Sequence, residues 1–148
     1  MSLESEEPRR TAPSILIVDD HEAVRVTLEH ILRRSGYNVL SADTGACAAL
    51  LASTEPIDGA LIDVHMPGMT GFECLRVIQQ NRPADRGPVR VWFMTGAPTP
   101  EISRTAKQVG AMGVLNKPFE LQELITTLKQ GLALPAPAVP SQIGEESH

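Results

Sequence analysis

Short apolar runs alternate with longer stretches of helical period about five times between Ser14 and Gly131. Ile15-Leu16-Ile17-Val18 is apolar at every position, as befits a central parallel strand covered on both faces, and it stops at Asp19-Asp20. Val24, Leu28, Ile31 and Leu32 then recur at i, i+4, i+7 and i+8, the stripe of a helix that should end at Ser35-Gly36, where glycine supplies a left-handed cap. Tyr37 to Leu40 predicts a second strand and Thr44 to Ala52 a weaker helix, followed by a third strand, Gly59-Ala60-Leu61-Ile62, closing on Asp63. Met66-Pro67-Gly68-Met69 must be a loop, because proline removes a donor and glycine favours a turn. Thr70 and Glu73 have capping-box spacing, and Phe72, Leu75 and Ile78 give the next helix its stripe. Val89 to Met94 predicts strand four, ending at Thr95-Gly96. Thr99-Pro100-Glu101 then offers an N-cap, a first-turn proline and a first-turn acid for a helix to about Val109, closed by Gly110. Met112 to Leu115 is the fifth strand, Lys117-Pro118 its exit, and Leu121, Leu124, Ile125 and Leu128 the buried face of a last helix. Strands and helices in strict alternation predict an α/β fold of five βα units around a parallel sheet.

Composition narrows the picture. The 148 residues, 42% of them hydrophobic, suffice for one well-filled core and are too few for two ordinary domains. The polar segment 1–13 and the Pro/Ala-rich segment 133–148 read as flexible tails around a domain at 14–132. With 18 acidic against 13 basic residues, the formal charge is −5, and no Lys/Arg stripe could follow a phosphate backbone, which argues against direct nucleic-acid binding. The longest apolar runs are far short of the ~20 residues that span a bilayer, and Glu4-Ser5-Glu6-Glu7 is no signal peptide, so a cytoplasmic protein with no membrane association is expected. Cys47 and Cys74 fall on separate predicted helices without metal-ligand spacing and read as small buried hydrophobes.

The chemistry-bearing residues gather at one edge. In an open parallel sheet, ligands bind beyond the carboxyl ends of the strands, near the point where strand order reverses. Asp19 and Asp20 end strand one, Asp63 ends strand three, Thr95 ends strand four, and Lys117 follows strand five. Three carboxylates in one cleft repel one another unless a cation shares it. Mg²⁺, which takes oxygen ligands and is held by a few carboxylates together with waters and phosphate oxygens, suits Asp19, Asp20 and Asp63.

In these residues the chain resembles the receiver domains of two-component response regulators. The resemblance covers about Ser14 to Leu132 and rests on Asp19-Asp20, the run Asp63-Val64-His65-Met66-Pro67-Gly68-Met69-Thr70-Gly71, Thr95-Gly96 and Lys117-Pro118-Phe119. Each motif is weak alone; their order, each at the end of the right strand, makes the joint signal strong. The resemblance implies a flavodoxin-like strand order 2-1-3-4-5 and a cis Lys117-Pro118 peptide. It implies that Asp20, Asp63 and the backbone carbonyl of His65 bind Mg²⁺ directly and Asp19 through water. Asp63 would take a phosphoryl group from a phosphohistidine of a sensor histidine kinase or phosphotransfer protein, with Lys117 and Thr95 contacting the phosphoryl oxygens. The output would be a changed protein affinity at helix four, strand five and helix five, roughly Pro98 to Gly131, with homodimerisation left open. Two positions depart from the family pattern: Val114 stands where Tyr or Phe is frequent, three residues before the lysine, so no ring is there to swing inward, and Gly96 stands where alanine is frequent. His21, His30 and His148 fall outside the constellation and read as surface residues, and the His65 side chain is given no chemistry.

Other functions compete for the same fold. A phosphohydrolase with an aspartyl nucleophile would carry Asp-x-Asp after strand one, whereas this chain has Asp19-Asp20. An interaction module that no longer accepts phosphate need not keep Asp20, Asp63, Thr95 and Lys117 together. Flavin binding lacks a phosphate-cradling Ser/Thr/Gly loop after strand one.

Overall fold

The computed structural model describes residues 12–133; the expected tails at 1–13 and 133–148 lie outside the described residues except for residues 12, 13 and 133, and Ala133 ends the last helix. Strand β1 (Ser14–Val18) leads into α1 (Glu22–Arg34), β2 (Asn38–Ala42) into α2 (Gly45–Thr54), and β3 (Gly59–Asp63) into α3 (Gly71–Asn81). After a 3₁₀ turn at Ala84–Arg86 come β4 (Arg90–Thr95), α4 (Pro100–Gln108), β5 (Gly113–Asn116) and α5 (Leu121–Ala133). All five main strands are parallel and lie in the order β2-β1-β3-β4-β5. The order reverses between β1 and β3, so the cleft beyond their carboxyl ends holds Asp19, Asp20 and Asp63.

Alternation along the strands sorts the core into two layers. Leu16, Val18, Ala60, Ile62, Val91 and Phe93 pack with Ala48 and Ala52 of α2, Cys74, Leu75 and Ile78 of α3, and Ala106 of α4. Ile15, Ile17, Leu61, Trp92 and Met94 face the other way, onto Leu28 and Leu32 of α1 and Leu124 and Leu128 of α5. A strand buried on both faces needs apolar side chains at successive positions, the run seen at 15–18. The Trp92 ring lies so close to Gly131 of α5 that an added Cβ there would overlap it, so the glycine sets how closely α5 approaches the sheet.

Local signals hold in detail. Thr70 accepts from Glu73 N at 3.1 Å while the Glu73 carboxylate accepts from Thr70 N at 2.9 Å, completing the capping box. Thr99 caps α4 through Ile102 N at 3.1 Å, with Pro100 in the first turn. Gly36 and Gly110 close α1 and α4 at φ of 99° and 82°. The Lys117-Pro118 peptide is cis, as the resemblance implies.

Boundaries shift at the sheet's edge strands and around Pro67. Strand β2 extends to Ala42 because Ser41 and Ala42 still find partners in Ile17 and Val18. The loop after Asp63 is a small hairpin, His65–Met66 pairing antiparallel with Met69–Thr70 around Pro67-Gly68, with Gly68 at φ 81°.

Candidate metal and phosphoacceptor centre

Each acidic side chain is delivered by a strand end. Asp19 follows β1 and Asp63 ends β3; both are buried, while Asp20 is partly exposed. Lys117, just past β5, reaches back so that Nζ lies 2.7 Å from Asp19 Oδ2 and 3.5 Å from Asp63 Oδ2. The loop that carries it is held by Lys117 N donating to the Thr95 carbonyl at 2.8 Å. Thr95 lies one residue beyond Met94, the β4 partner of Asp63, and its hydroxyl is buried and accepts from Ala97 N at 3.0 Å. His65 N donates to Asp63 Oδ1 at 3.3 Å, and the His65 side chain is exposed.

The two buried carboxylates titrate in opposite directions. Burial alone would raise Asp19, but the Lys117 hydrogen bond, the His21 amide and the lysine charge outweigh it and leave Asp19 below the ordinary carboxylate range. Asp63 is raised, first by burial and then by the Asp19 charge, with Lys117 and the His65 amide only partly opposing them. Both Asp19 oxygens are committed, Oδ2 to Lys117 and Oδ1 to the His21 amide at 2.9 Å, and the His21 ring Nδ1 lies 3.1 Å from Oδ1.

His21 is the correction to the sequence reading. It stands among the cluster rather than outside it, with Nδ1 3.1 Å from Asp19 Oδ1 and 3.5 Å from Asp20 Oδ1, although its ring is 63% exposed. Periodicity could not reveal this, because the position precedes α1 and belongs to no apolar stripe. Its one legible signal was adjacency to Asp19-Asp20. Gly71 is a second residue the sequence reading left without a role beyond its motif. An added Cβ would run into the backbone carbonyl of Asp63, so only glycine lets α3 begin directly beneath the acidic strand end.

A divalent cation fits this donor set. Ligand atoms of Asp19, Asp20, His21 and Asp63 all lie within 4.8 Å of one another. Asp20 Oδ1 is buried without a hydrogen-bond partner, a condition that is costly in a cluster of negative charge unless a cation completes it.

The chain matches the family model described as the response regulator receiver domain over residues 15–129, and it belongs to that family: it is a receiver, a phosphoacceptor signalling domain. Among its relatives is sporulation initiation phosphotransferase F of Bacillus subtilis, 32% identical over 123 residues that cover 81% of this chain and 94% of that protein. Other relatives are much longer, and the chain spans 16% of the length of two of them. The chemotaxis protein CheY4 of Vibrio cholerae superposes with a TM-score of 0.74 at 33% identity, covering 80% of this chain and 98% of that one. The receiver domain of sensor histidine kinase PA1611 from Pseudomonas aeruginosa superposes with a TM-score of 0.71 at 26% identity, covering 83% and 99% of the two chains; in that structure a magnesium ion is coordinated in the active-site cleft. The acidic cluster of this chain matches such a site. No helix among the described residues is long and apolar enough to cross a membrane.

Proposed function

We propose that Asp63 is the phosphoacceptor of this receiver, and that Asp20, Asp63 and the His65 carbonyl hold the Mg²⁺ ion, with Asp19 acting through water. The observation that carries this reading is the position of Lys117: its ammonium lies 3.5 Å from Asp63 Oδ2, within the same cleft as three carboxylates. The commitment of both Asp19 oxygens to Lys117 and His21 favours an outer role for Asp19 and leaves Asp20 Oδ1 and Asp63 as direct ligands. When bound, Mg²⁺ offsets the charge of the three carboxylates and of the phosphoryl oxygens.

The chain's own residues do the rest. An Asp63 carboxylate oxygen attacks the phosphorus of a phosphohistidine; the new O–P bond forms as the P–N bond breaks, and its electron pair returns to the donor imidazole. Lys117, already paired with Asp63, follows the charge onto the phosphoryl oxygens, and the Thr95 hydroxyl, which accepts from Ala97 N and donates to no group among the described residues, can donate its proton to one of them. The donor is a sensor histidine kinase or a phosphotransfer protein, met in the cytoplasm. The phosphorylated form acts on a downstream protein through the face built from α4, β5 and α5. Thr95 and Lys117 flank this face in the chain, so their movement toward the phosphoryl group repositions its backbone. Val114 is half-buried and packs against the core as an aliphatic side chain, which argues for a modest loop shift instead of a ring rotation.

The direct test is chemical. Incubation with a small phosphodonor and Mg²⁺ should yield one hydroxylamine-labile phosphoryl group, absent from Asp63→Asn. Label that persists in Asp63→Asn sinks the assignment.

A further inference from the structure

We infer that His21 is a nitrogen ligand at the rim of this metal centre and biases it toward late first-row transition ions relative to a centre built of oxygen alone. The inference rests on the metal-centre reading above. Ligands at about 2.1 Å from an octahedral ion stand about 3.0 Å apart when adjacent and about 4.2 Å apart when opposite. His21 Nδ1 lies 3.5 Å from Asp20 Oδ1, between adjacent and opposite spacing, and its ligand atom falls within 4.8 Å of those of Asp20 and Asp63. Asp20 Oδ1, facing that nitrogen, is the only buried carboxylate oxygen among the described residues with no hydrogen-bond partner.

The backbone fixes where the ring begins. His21 precedes α1 in extended conformation, and its amide donates to Asp19 Oδ1 at 2.9 Å while Lys117 anchors the other oxygen of that carboxylate. The imidazole therefore springs from a residue tied to the acidic cluster. Binding through Nδ1 requires the tautomer with its proton on Nε2. In a ring 63% exposed, that N–H can face water, and Asp19 Oδ1 keeps the His21 amide as its donor. Imidazole suits nickel, copper and zinc, whereas Mg²⁺ prefers oxygen, so the nitrogen should show itself in selectivity.

The affinity ratio of Ni²⁺ to Mg²⁺ tests this, measured by calorimetric titration of the untagged full chain at one mildly alkaline pH. Ni²⁺ exceeds Mg²⁺ even on oxygen ligands, so the comparison that matters is between variants. His21→Ala should lower the Ni²⁺:Mg²⁺ ratio about tenfold or more, an effect of the size seen when metal-site partners are removed. His21→Gln, which keeps a polar side chain but no imidazole, should lower it as well. An unchanged ratio in His21→Ala, with Mg²⁺ binding that Asp20→Asn still weakens, overturns the role of His21 and leaves the metal-centre reading standing. Mg²⁺ binding indifferent to Asp20→Asn overturns both.

Discussion

Asp63 sits where ionisation is disfavoured, because burial and the neighbouring Asp19 charge both act against its carboxylate. A carboxyl raised on folding supports the fold below its unfolded value, and that support is lost as pH rises through the raised value. Asp63→Asn should therefore be more stable than wild type near neutral pH in chelator, by about 1 kcal/mol, with the advantage shrinking toward acid. Asp19 runs the other way. Its lowered carboxyl contributes above the unfolded value and loses that contribution as pH falls through the folded one, so Asp19→Asn should be destabilised near neutral pH and recover relative to wild type in acid. Urea denaturation of the three proteins at neutral and acidic pH separates the two signs. Millimolar Mg²⁺ should raise the stability of wild type by mass action and that of Asp63→Asn less. Equal melting temperatures with and without the ion would count against a formed metal site. At this scale the sequence made Asp19, Asp20, Asp63, Thr95 and Lys117 visible because each ends or follows a strand. It hid His21, whose approach depends on the turn between β1 and α1 and on no periodic pattern.

Between strand and helix, two glycines near the centre should respond differently to an added methyl group. At Gly71 the Cβ would collide with the Asp63 carbonyl, backbone that the strand pairing holds in place, so Gly71→Ala should cost about 1–3 kcal/mol and slow phosphate acceptance by displacing Asp63, the proposed acceptor. At Gly96 the Cβ would meet only Lys117 Cβ, at 4.0 Å, and Gly96→Ala should change stability by no more than about 0.5 kcal/mol. Thermal melts of the pair give the comparison; equal losses would mean that the α3 approach is not set by Gly71. Elements were legible where the apolar period was strong, as in β1 and α1. They were less so at β2, whose last residues join the sheet only because β1 supplies partners, and at the hairpin after Asp63, whose pairing depends on the turn at Pro67-Gly68. The caps of α3 and α4 were readable because Thr70, Glu73 and Thr99 bond to backbone only three residues away.

Across the molecule, strand order was not contained in the periodicity and came from the resemblance, since a run of apolar residues says that a strand is buried and not which strands flank it. The order found puts β1 beside β3 and so joins Asp19, Asp20 and Asp63, while β4 and β5 bring Thr95 and Lys117 to the same edge. A phosphoryl mimic such as beryllofluoride should perturb amide exchange at the centre and across Pro98 to Gly131, with a coupling of about 1–3 kcal/mol to partner binding. Perturbation confined to α1, α2 and α3 would place the output elsewhere. All of this depends on one covalent event, and intact mass after treatment with a small phosphodonor measures it most directly. A single phosphoryl adduct should form that needs Mg²⁺, disappears with hydroxylamine and fails to appear in Asp63→Asn. An adduct that forms equally well in chelator, or in Asp63→Asn, would contradict this expectation.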